Sequence, residues 1–329
     1  MIERFKSIAR VELPCRKVNV FIGEPDTGKT NILEALYFLS HLGWVLPIGN
    51  SLRLRQDVGL EALFYRQFIN HTIHIALRFS SPSQSPELVT SVDLRNRNLH
   101  ITLGPGNQVF REVEVPFNQQ NHFPELMPIR YYVFGSSEQW GYGAGGPFGG
   151  QTVAIPSGSN LLYIARHNEQ VNEFLKETIS GLNRRLKFDS MSQTLRLVEI
   201  RDDEVIEYNI DVLSDSVKRL FFYSAIIMSS KEATLVFDEP DVFAFPPYPR
   251  TLAEMIASDK TNQFFVTTHN PYFLSSLVGK TPSDQLGVFI CSRNSEDATR
   301  ARMLEPDEVS RVIEFGASVF FNLEEFESR

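Results

Sequence analysis

An α/β fold with a mostly parallel sheet flanked by helices is predicted by three stretches of this 329-residue chain. Each is an apolar-rich run ending in polar residues of a particular kind. Val18-Asn-Val-Phe-Ile22 leads into a glycine-bearing loop, Thr234-Leu-Val-Phe237 into Asp238-Glu239-Pro240, and Gln263-Phe-Phe-Val266 into Thr267-Thr268-His269. Runs of β-formers without polar alternation describe strands covered on both faces, and such sheets present their functional groups at the carboxyl ends of the strands.

The loop after the first run reads Gly23-Glu24-Pro25-Asp26-Thr27-Gly28-Lys29-Thr30, and Asn31 to Leu39 behind it has helical character. Holding a phosphate takes several backbone N–H groups turned inward around an anion, which a tight loop achieves with glycine at unusual dihedrals. Gly23 and Gly28 fill those places. Lys29 adds a point charge for the β- and γ-phosphates and Thr30 a hydroxyl for Mg²⁺, while the helix start, with Asn31, contributes its partial positive charge.

In the second run a buried strand delivers two carboxylates at its end. Asp238 is placed to hold Mg²⁺, directly or through water, and Glu239 to act as general base on an attacking water. The third run ends in His269, within reach of that water or the γ-phosphate if the strands are neighbours. Asn270-Pro271 then opens a helix over Tyr272 to Leu277, because proline suits a first helical turn.

Taken in order, Gly23 to Thr30 with Asn31-Ile-Leu-Glu-Ala35 behind it, Asp238-Glu-Pro240 and Thr267-Thr-His-Asn-Pro271 resemble the ABC-type ATPase heads of the RecF, SMC and OLD (overcoming lysogenisation defect) group. The wording is nearest to OLD-like ATPases. The resemblance implies a P-loop NTPase of ABC-ATPase type that binds ATP and Mg²⁺ and closes head to tail as a homodimer. Each subunit of such a pair lends a signature serine to the other's γ-phosphate. Leu213-Ser214-Asp-Ser216-Val-Lys-Arg219 stands where the family carries that signature, ahead of the apolar helix Leu220 to Met228. Serine occupies position 216 where the family pattern has glycine, and Phe243-Ala-Phe245 carries phenylalanine where the family carries histidine.

By the same resemblance Lys29, Glu239 and His269 are the catalytic set, Thr30 and Asp238 the metal ligands, and Ser214 a contact across the dimer. The plainer reading of Ser214 is a helix cap. Gln67, by position alone, is a further candidate for Mg²⁺, its plainer reading being a glutamine on a strand surface.

Between the two halves of this site the chain reads as an insert. Residues 1–59 and 211–329 are expected to form the ATPase lobe, and 60–210 a β-rich and helical lobe. Phe5 to Leu13 alternates like an opening strand, with Lys6 and Ser7 expected near an adenine, and Leu42 to Asp57 is mixed, like a connection. Phe64 to Ile69, Thr72 to Phe79, Leu88 to Leu94 and Leu99 to Leu103 alternate as antiparallel strands do, between Pro, Ser, Asn and Gly turns. Residues 135–150, rich in glycine, are expected to form a mobile loop. Asn168 to Lys187 has helical spacing through Val171, Phe174, Leu175, Ile179 and Leu182, and Thr194 to Ile200 with Glu204 to Ile210 reads as a hairpin.

Composition narrows the partners. A hydrophobic content of 42% supports a large core. Two cysteines, Cys15 and Cys291, stand in apolar contexts far apart, which argues for a reducing cytoplasm rather than a disulfide framework. No apolar run reaches the roughly 20 residues of a membrane span. The net charge of −8 leaves nucleic acid only local basic patches, at Arg53-Leu-Arg55, Arg95-Asn-Arg97 and Arg184-Arg-Leu-Lys187, each more simply solvated surface.

Residues 60–210 carry no sustained heptad, so no coiled-coil tether of the SMC kind is expected, and little chain follows His269 for the nuclease domain of OLD proteins. A stand-alone head that drives or gates an effector protein in DNA repair or phage defence is therefore expected. A nucleotide-gated interaction module with slow hydrolysis and a RecF-like DNA-binding recombination mediator stay open as alternatives.

Overall fold

The computed structural model describes residues 1–41, 44–45, 60–78, 87–95, 98–105, 111–116, 121–122, 129–135, 140–141, 143, 150–189, 194–202, 204–242 and 244–327. Most of the glycine-rich stretch 135–150, nearly all of the connection from Leu42 to Asp57, Arg53, Arg55, Arg97 and Phe243 lie outside the described residues. The chain forms two compact units, residues 1–129 with 287–329, and residues 130–286. These divisions fall elsewhere than the limits at 60 and 210, because strands beyond residue 60 pair with the N-terminal hairpin.

In the first unit β1 (Ile2–Phe5) and β2 (Ile8–Val11) form that hairpin, with Ile2 opposite Val11 and Phe5 opposite Ile8. The single strand expected over Phe5 to Leu13 is therefore two arms, turning at Lys6, whose φ of 51° is left-handed. β3 (Val18–Gly23) is buried along its whole length and runs into α1 (Lys29–His41). A short ribbon joins β4 (Trp44–Val45) to β9 (Asn121–His122). β5 (Ile73–Arg78), β6 (Glu87–Arg95), β7 (Asn98–Pro105) and β8 (Arg111–Pro116) extend the hairpin into an antiparallel sheet of order β2-β1-β5-β6-β7-β8.

Phe64 to Ile69 is not a strand. Arg66 and Gln67 both take left-handed φ, 53° and 58°, and the segment forms tight turns at Leu60–Leu63 and Tyr65–Gln67. The apolar alternation that suggested a strand has no common face, since Phe64 is buried against β1 while Phe68 and Ile69 are exposed.

The second unit starts with β10 (Ile129–Tyr132), followed by α2 (Leu161–His167) and α3 (Glu169–Ser180). Val171, Leu175 and Ile179 form the buried stripe of α3. The helix expected to reach Lys187 stops at Ser180. Asn183, with φ 58°, reverses the chain, and β11 (Arg185–Asp189) pairs with β12 (Thr194–Arg201), itself in a hairpin with β13 (Glu204–Asn209).

The chain continues as α4 (Asp215–Ser229), β14 (Thr234–Phe237), α5 (Pro247–Ser258), β15 (Gln263–Thr267) and α6 (Pro271–Lys280). β10, β14 and β15 lie side by side in that order. The β14–β15 pair is parallel, with Phe237 opposite Val266, so Asp238 and Thr267 leave the sheet at the same edge. Behind them Tyr132, Tyr223, Phe237 and Phe264 interlock, with Tyr223 and Phe237 ring centres 4.9 Å apart.

The chain then re-enters the first unit through β16 (Leu286–Arg293) and β17 (Thr299–Met303), an antiparallel pair. β3, β16 and β17 are neighbours in that order. α7 (Pro306–Phe315) and α8 (Glu324–Glu327) close the described chain.

Candidate functional site

The loop between β3 and α1 depends on its two glycines for shape. Gly23 has φ 150° and Gly28 φ 92°. A Cβ on Gly23 would stand 2.2 Å from the carbonyl oxygen of Cys291, and one on Gly28 2.0 Å from the Thr299 hydroxyl. Both positions therefore exclude side chains sterically as well as conformationally. Asp26 between them is also left-handed, at φ 61°, and Arg293 Nε donates to its carbonyl at 2.8 Å.

Lys29 begins α1 and is buried. Its ammonium donates to the carbonyls of Gly23 at 3.0 Å and Glu24 at 2.6 Å, which holds the charge at the centre of the loop. Thr27 closes the loop from within, donating its hydroxyl to the Glu24 carbonyl at 2.8 Å. Thr30 is half-buried in the first turn of α1. Asn31 Nδ2 donates to Ser7 Oγ at 2.5 Å, and the Ser7 and Thr299 hydroxyls share a hydrogen bond of 2.7 Å. The β1–β2 turn is thereby strapped to the helix behind the loop. A second strap is the ion pair of Lys6 Nζ with Glu34 Oε2 at 2.6 Å, its carboxylate buried.

Beside this loop is a hollow of about 380 Å³ lined by Lys6, Ser7, Tyr65, Arg66, Gln67 and Arg293 among others. Gln67 sits there exposed, on a tight turn rather than a strand. A planar ring placed in the hollow would meet the Tyr65 side chain and two guanidinium groups.

In the second unit the carboxyl ends of β14 and β15 bring Asp238, Glu239, Thr267 and His269 together. The Thr267 hydroxyl donates to Asp238 Oδ1 at 2.6 Å and accepts from the Glu239 N–H at 2.9 Å. Glu239 is left-handed, φ 48°, a conformation costing a non-glycine residue about 1–2 kcal/mol and held here by that bond. Its Oε1 lies 3.3 Å from His269 Nε2, and both side chains remain partly open to solvent. A carboxylate beside an imidazole at a solvent-accessible strand edge can accept a proton from water. Thr267 was missed in sequence reasoning, although a hydroxyl residue in register with an Asp-Glu strand end is the signal that finds it.

Ser214 caps α4, its Oγ accepting from the Val217 N–H at 3.5 Å, and its side chain is exposed. Ser216 Oγ accepts from the Phe245 N–H at 3.1 Å. The serine that departs from the glycine pattern thus fastens the segment after Asp238-Glu239. Ser214 and Phe245 border a hollow of about 460 Å³, with Arg184, Val212 and Tyr248.

Thr30 in the first unit and Asp238 in the second each carry a hard oxygen donor, the kind of group that Mg²⁺ takes. Cys291 is buried and its thiol pushed up to about 12 by desolvation, which makes it inert, and Cys15, though exposed at the surface, is likewise pushed up to about 11 by desolvation. Among the described basic residues of the surface patches, Arg95 pairs with Asp93, Arg184 with Glu199 and Lys187 with Glu207.

The family described as "AAA domain, putative AbiEii toxin, Type IV TA system" matches residues 18–275, well over half of the chain. The chain belongs to this family. No curated protein matches it in sequence. Among solved structures, "Crystal structure of the SmcHead bound to the C-winged helix domain of ScpA" superposes with a TM-score of 0.59 at 14% identity, covering 94% of this chain and 98% of that chain. Another, "Structural biochemistry of ATP-driven dimerization and DNA stimulated activation of SMC ATPases", matches at 17% identity with a TM-score of 0.33, over 47% of this chain and 95% of that chain. The fold of this AAA-domain protein is that of an ABC-type P-loop ATPase head of the SMC and RecF type.

Proposed function

We propose that this AAA-domain protein binds Mg-ATP and hydrolyses it as a head-to-tail homodimer that gates an effector protein in DNA repair or phage defence. The observation that carries hydrolysis is the Glu239–His269 pair, 3.3 Å apart on a strained turn pinned by Thr267. Binding rests on the phosphate loop. The backbone N–H groups of the loop from Gly23 to Thr30, which Pro25 lacks, and the Lys29 ammonium would neutralise β- and γ-phosphate charge, and the start of α1 adds its dipole.

Thr30 and Asp238 would hold Mg²⁺, whose positive charge would offset the negative charge that builds on the phosphate oxygens. Glu239 accepts the proton of the attacking water, and His269 steadies the γ-phosphate side of the same group. The nucleobase enters the hollow at Ser7, Tyr65 and Arg66. Ser214, exposed at the head of the 15-residue α4, is the group offered to the nucleotide of the second copy. Gln67, at the rim of the hollow, reads better as a neighbour of the base or ribose than as a metal ligand.

Glu239→Gln is expected to keep ATP affinity while turnover falls about 10² to 10⁴-fold, the usual cost of removing a general base. Light scattering on a column should find this variant as a dimer with Mg-ATP and as a monomer without it. Phosphate release at the wild-type rate from Glu239→Gln would remove Glu239 from the role of base. A monomer under both conditions would remove the head-to-tail dimer.

A further inference from the structure

We propose that Asp241 and Thr268, neither of which touches substrate, are positioning residues that set His269 against Glu239. The inference deepens the ATPase reading of this site and rests on it. Thr267 ends β15 and Thr268 follows it, and the two face different partners. Thr267 is bonded to Asp238 and Glu239, whereas the Thr268 hydroxyl donates to Asp241 Oδ2 at 2.8 Å and accepts from the Asn270 N–H at 2.9 Å. Asn270 Oδ1 in turn accepts from the N–H groups of Tyr272 and Phe273 and caps α6.

His269 therefore sits between Thr268, which is latched to Asp241, and Asn270, whose N–H is held by the Thr268 hydroxyl and whose side chain caps α6. With backbone held on both sides, the point from which its ring reaches Glu239, 3.3 Å away, is fixed. Thr268 is fully buried and Asp241 is 3% exposed, so water offers no alternative partner for either. Among the described residues Asp241 Oδ1 has no hydrogen-bond partner. A carboxylate buried with half its bonding capacity unused is costly, and a plain structural clamp could be made more cheaply by asparagine or serine.

Burial pushes the Asp241 carboxyl up, to about 7, against the Thr268 hydroxyl and the charge of Arg219 from α4, which pull it down, while Glu239 pushes it further up. Asp241 is thus within electrostatic range both of the base and of the helix that Ser214 caps. The arrangement links three elements: the β14 turn, the β15 loop and α4.

The test uses the full chain with Thr268→Val, which keeps shape and deletes both bonds, and Thr268→Ser, which keeps the hydroxyl. Three quantities are read: kcat for ATP hydrolysis, Kd for Mg-ATP, and the ¹⁵N signals of the His269 imidazole, assigned with His269→Gln. Thr268→Val should lower kcat about 10- to 100-fold, as expected for a misplaced catalytic group. Its Kd should stay within about 3-fold and the His269 signals should move, with Thr268→Ser restoring both kcat and signals.

In a His269→Gln background Thr268→Val should cost little more, because the two changes act on one step. Unchanged His269 signals in Thr268→Val, or a loss of kcat undiminished in the His269→Gln background, would overturn the assignment. A wild-type chain that binds ATP without turning it over would defeat the hydrolysis reading instead. The His269 signals alone would then decide the positioning role.

Discussion

The phosphate loop and the Asp-Glu turn solve the placement of charge in opposite ways. In the first the backbone does the work. Gly23, Asp26 and Gly28 hold left-handed or otherwise unusual dihedrals over six residues, and Lys29 bonds to carbonyls of the same loop. In the second the backbone is strained at one residue, Glu239, and side chains from 27 to 29 positions away restrain it, Thr267 on Asp238 and Glu239 and Thr268 on Asp241. A loop built from local backbone depends on its two glycines, where no side chain fits, whereas a turn built from latches can be loosened one bond at a time.

The sharpest way to break that contrast is Gly28→Ala. The new methyl would meet the Thr299 hydroxyl at 2.0 Å and the Ser7 hydroxyl at 2.8 Å, and alanine is disfavoured at φ 92°. Overpacking and a positive φ each cost about 1–3 kcal/mol, so the sum should lower the melting temperature by several degrees and abolish Mg-ATP binding. Adding Thr299→Ala removes the closest contact but not the dihedral. Recovery of full stability in the double variant would show that packing, rather than backbone conformation, makes glycine necessary there.

A smaller effect is expected at Asp241, and its sign can be worked out. The carboxyl ordinarily titrates near 3.8 and burial raises it to about 7 in the folded chain. Below about pH 4 both states hold the proton and burial of the neutral acid carries no charge penalty. As pH rises from about 4 to 7 the unfolded chain ionises first, so the contribution of this group to stability falls, and above 7 the loss is complete. Asp241→Asn removes that slope while its amide oxygen still accepts from Thr268. Urea unfolding without nucleotide should therefore show the variant gaining on wild type between pH 5 and pH 8, by on the order of 1–3 kcal/mol. A difference independent of pH would mean that Asp241 is ionised across the whole range.

How far these features were legible follows from the range over which they are encoded. The phosphate loop, the strands over Val18–Gly23, Thr234–Phe237 and Gln263–Thr267, and the cap at Asn270 are each written within ten residues, and the structure has them where the sequence placed them. The turns at Tyr65–Gln67 and the reversal at Asn183 were misread because apolar spacing alone cannot report a positive φ at Arg66, Gln67 or Asn183. Pairing of β5 with β1 is a contact across some 70 residues, and no local pattern carries it. The straps Ser7–Thr299 and Arg293–Asp26 span more than 260 positions, so the tail of the chain could not be recognised as part of the loop's surroundings.

Ser216 marks the smallest expected effect and divides the two designs most finely. Its hydroxyl takes the Phe245 N–H at 3.1 Å, a latch of the side-chain kind, at a place where the family pattern has glycine and relies on backbone. Ser216→Gly deletes one partly exposed hydrogen bond and adds a glycine to the first turn of α4, about 1 kcal/mol together. The melting temperature should drop by about 2–4 °C, and turnover should stay within about 3-fold, because Ser214 still caps the helix and keeps its hydroxyl outward. A tenfold gain in turnover would show instead that backbone at position 216 contacts the nucleotide of the second copy and that the serine restrains it. The side-chain latch would then be a brake on hydrolysis rather than a support for the Asp-Glu turn.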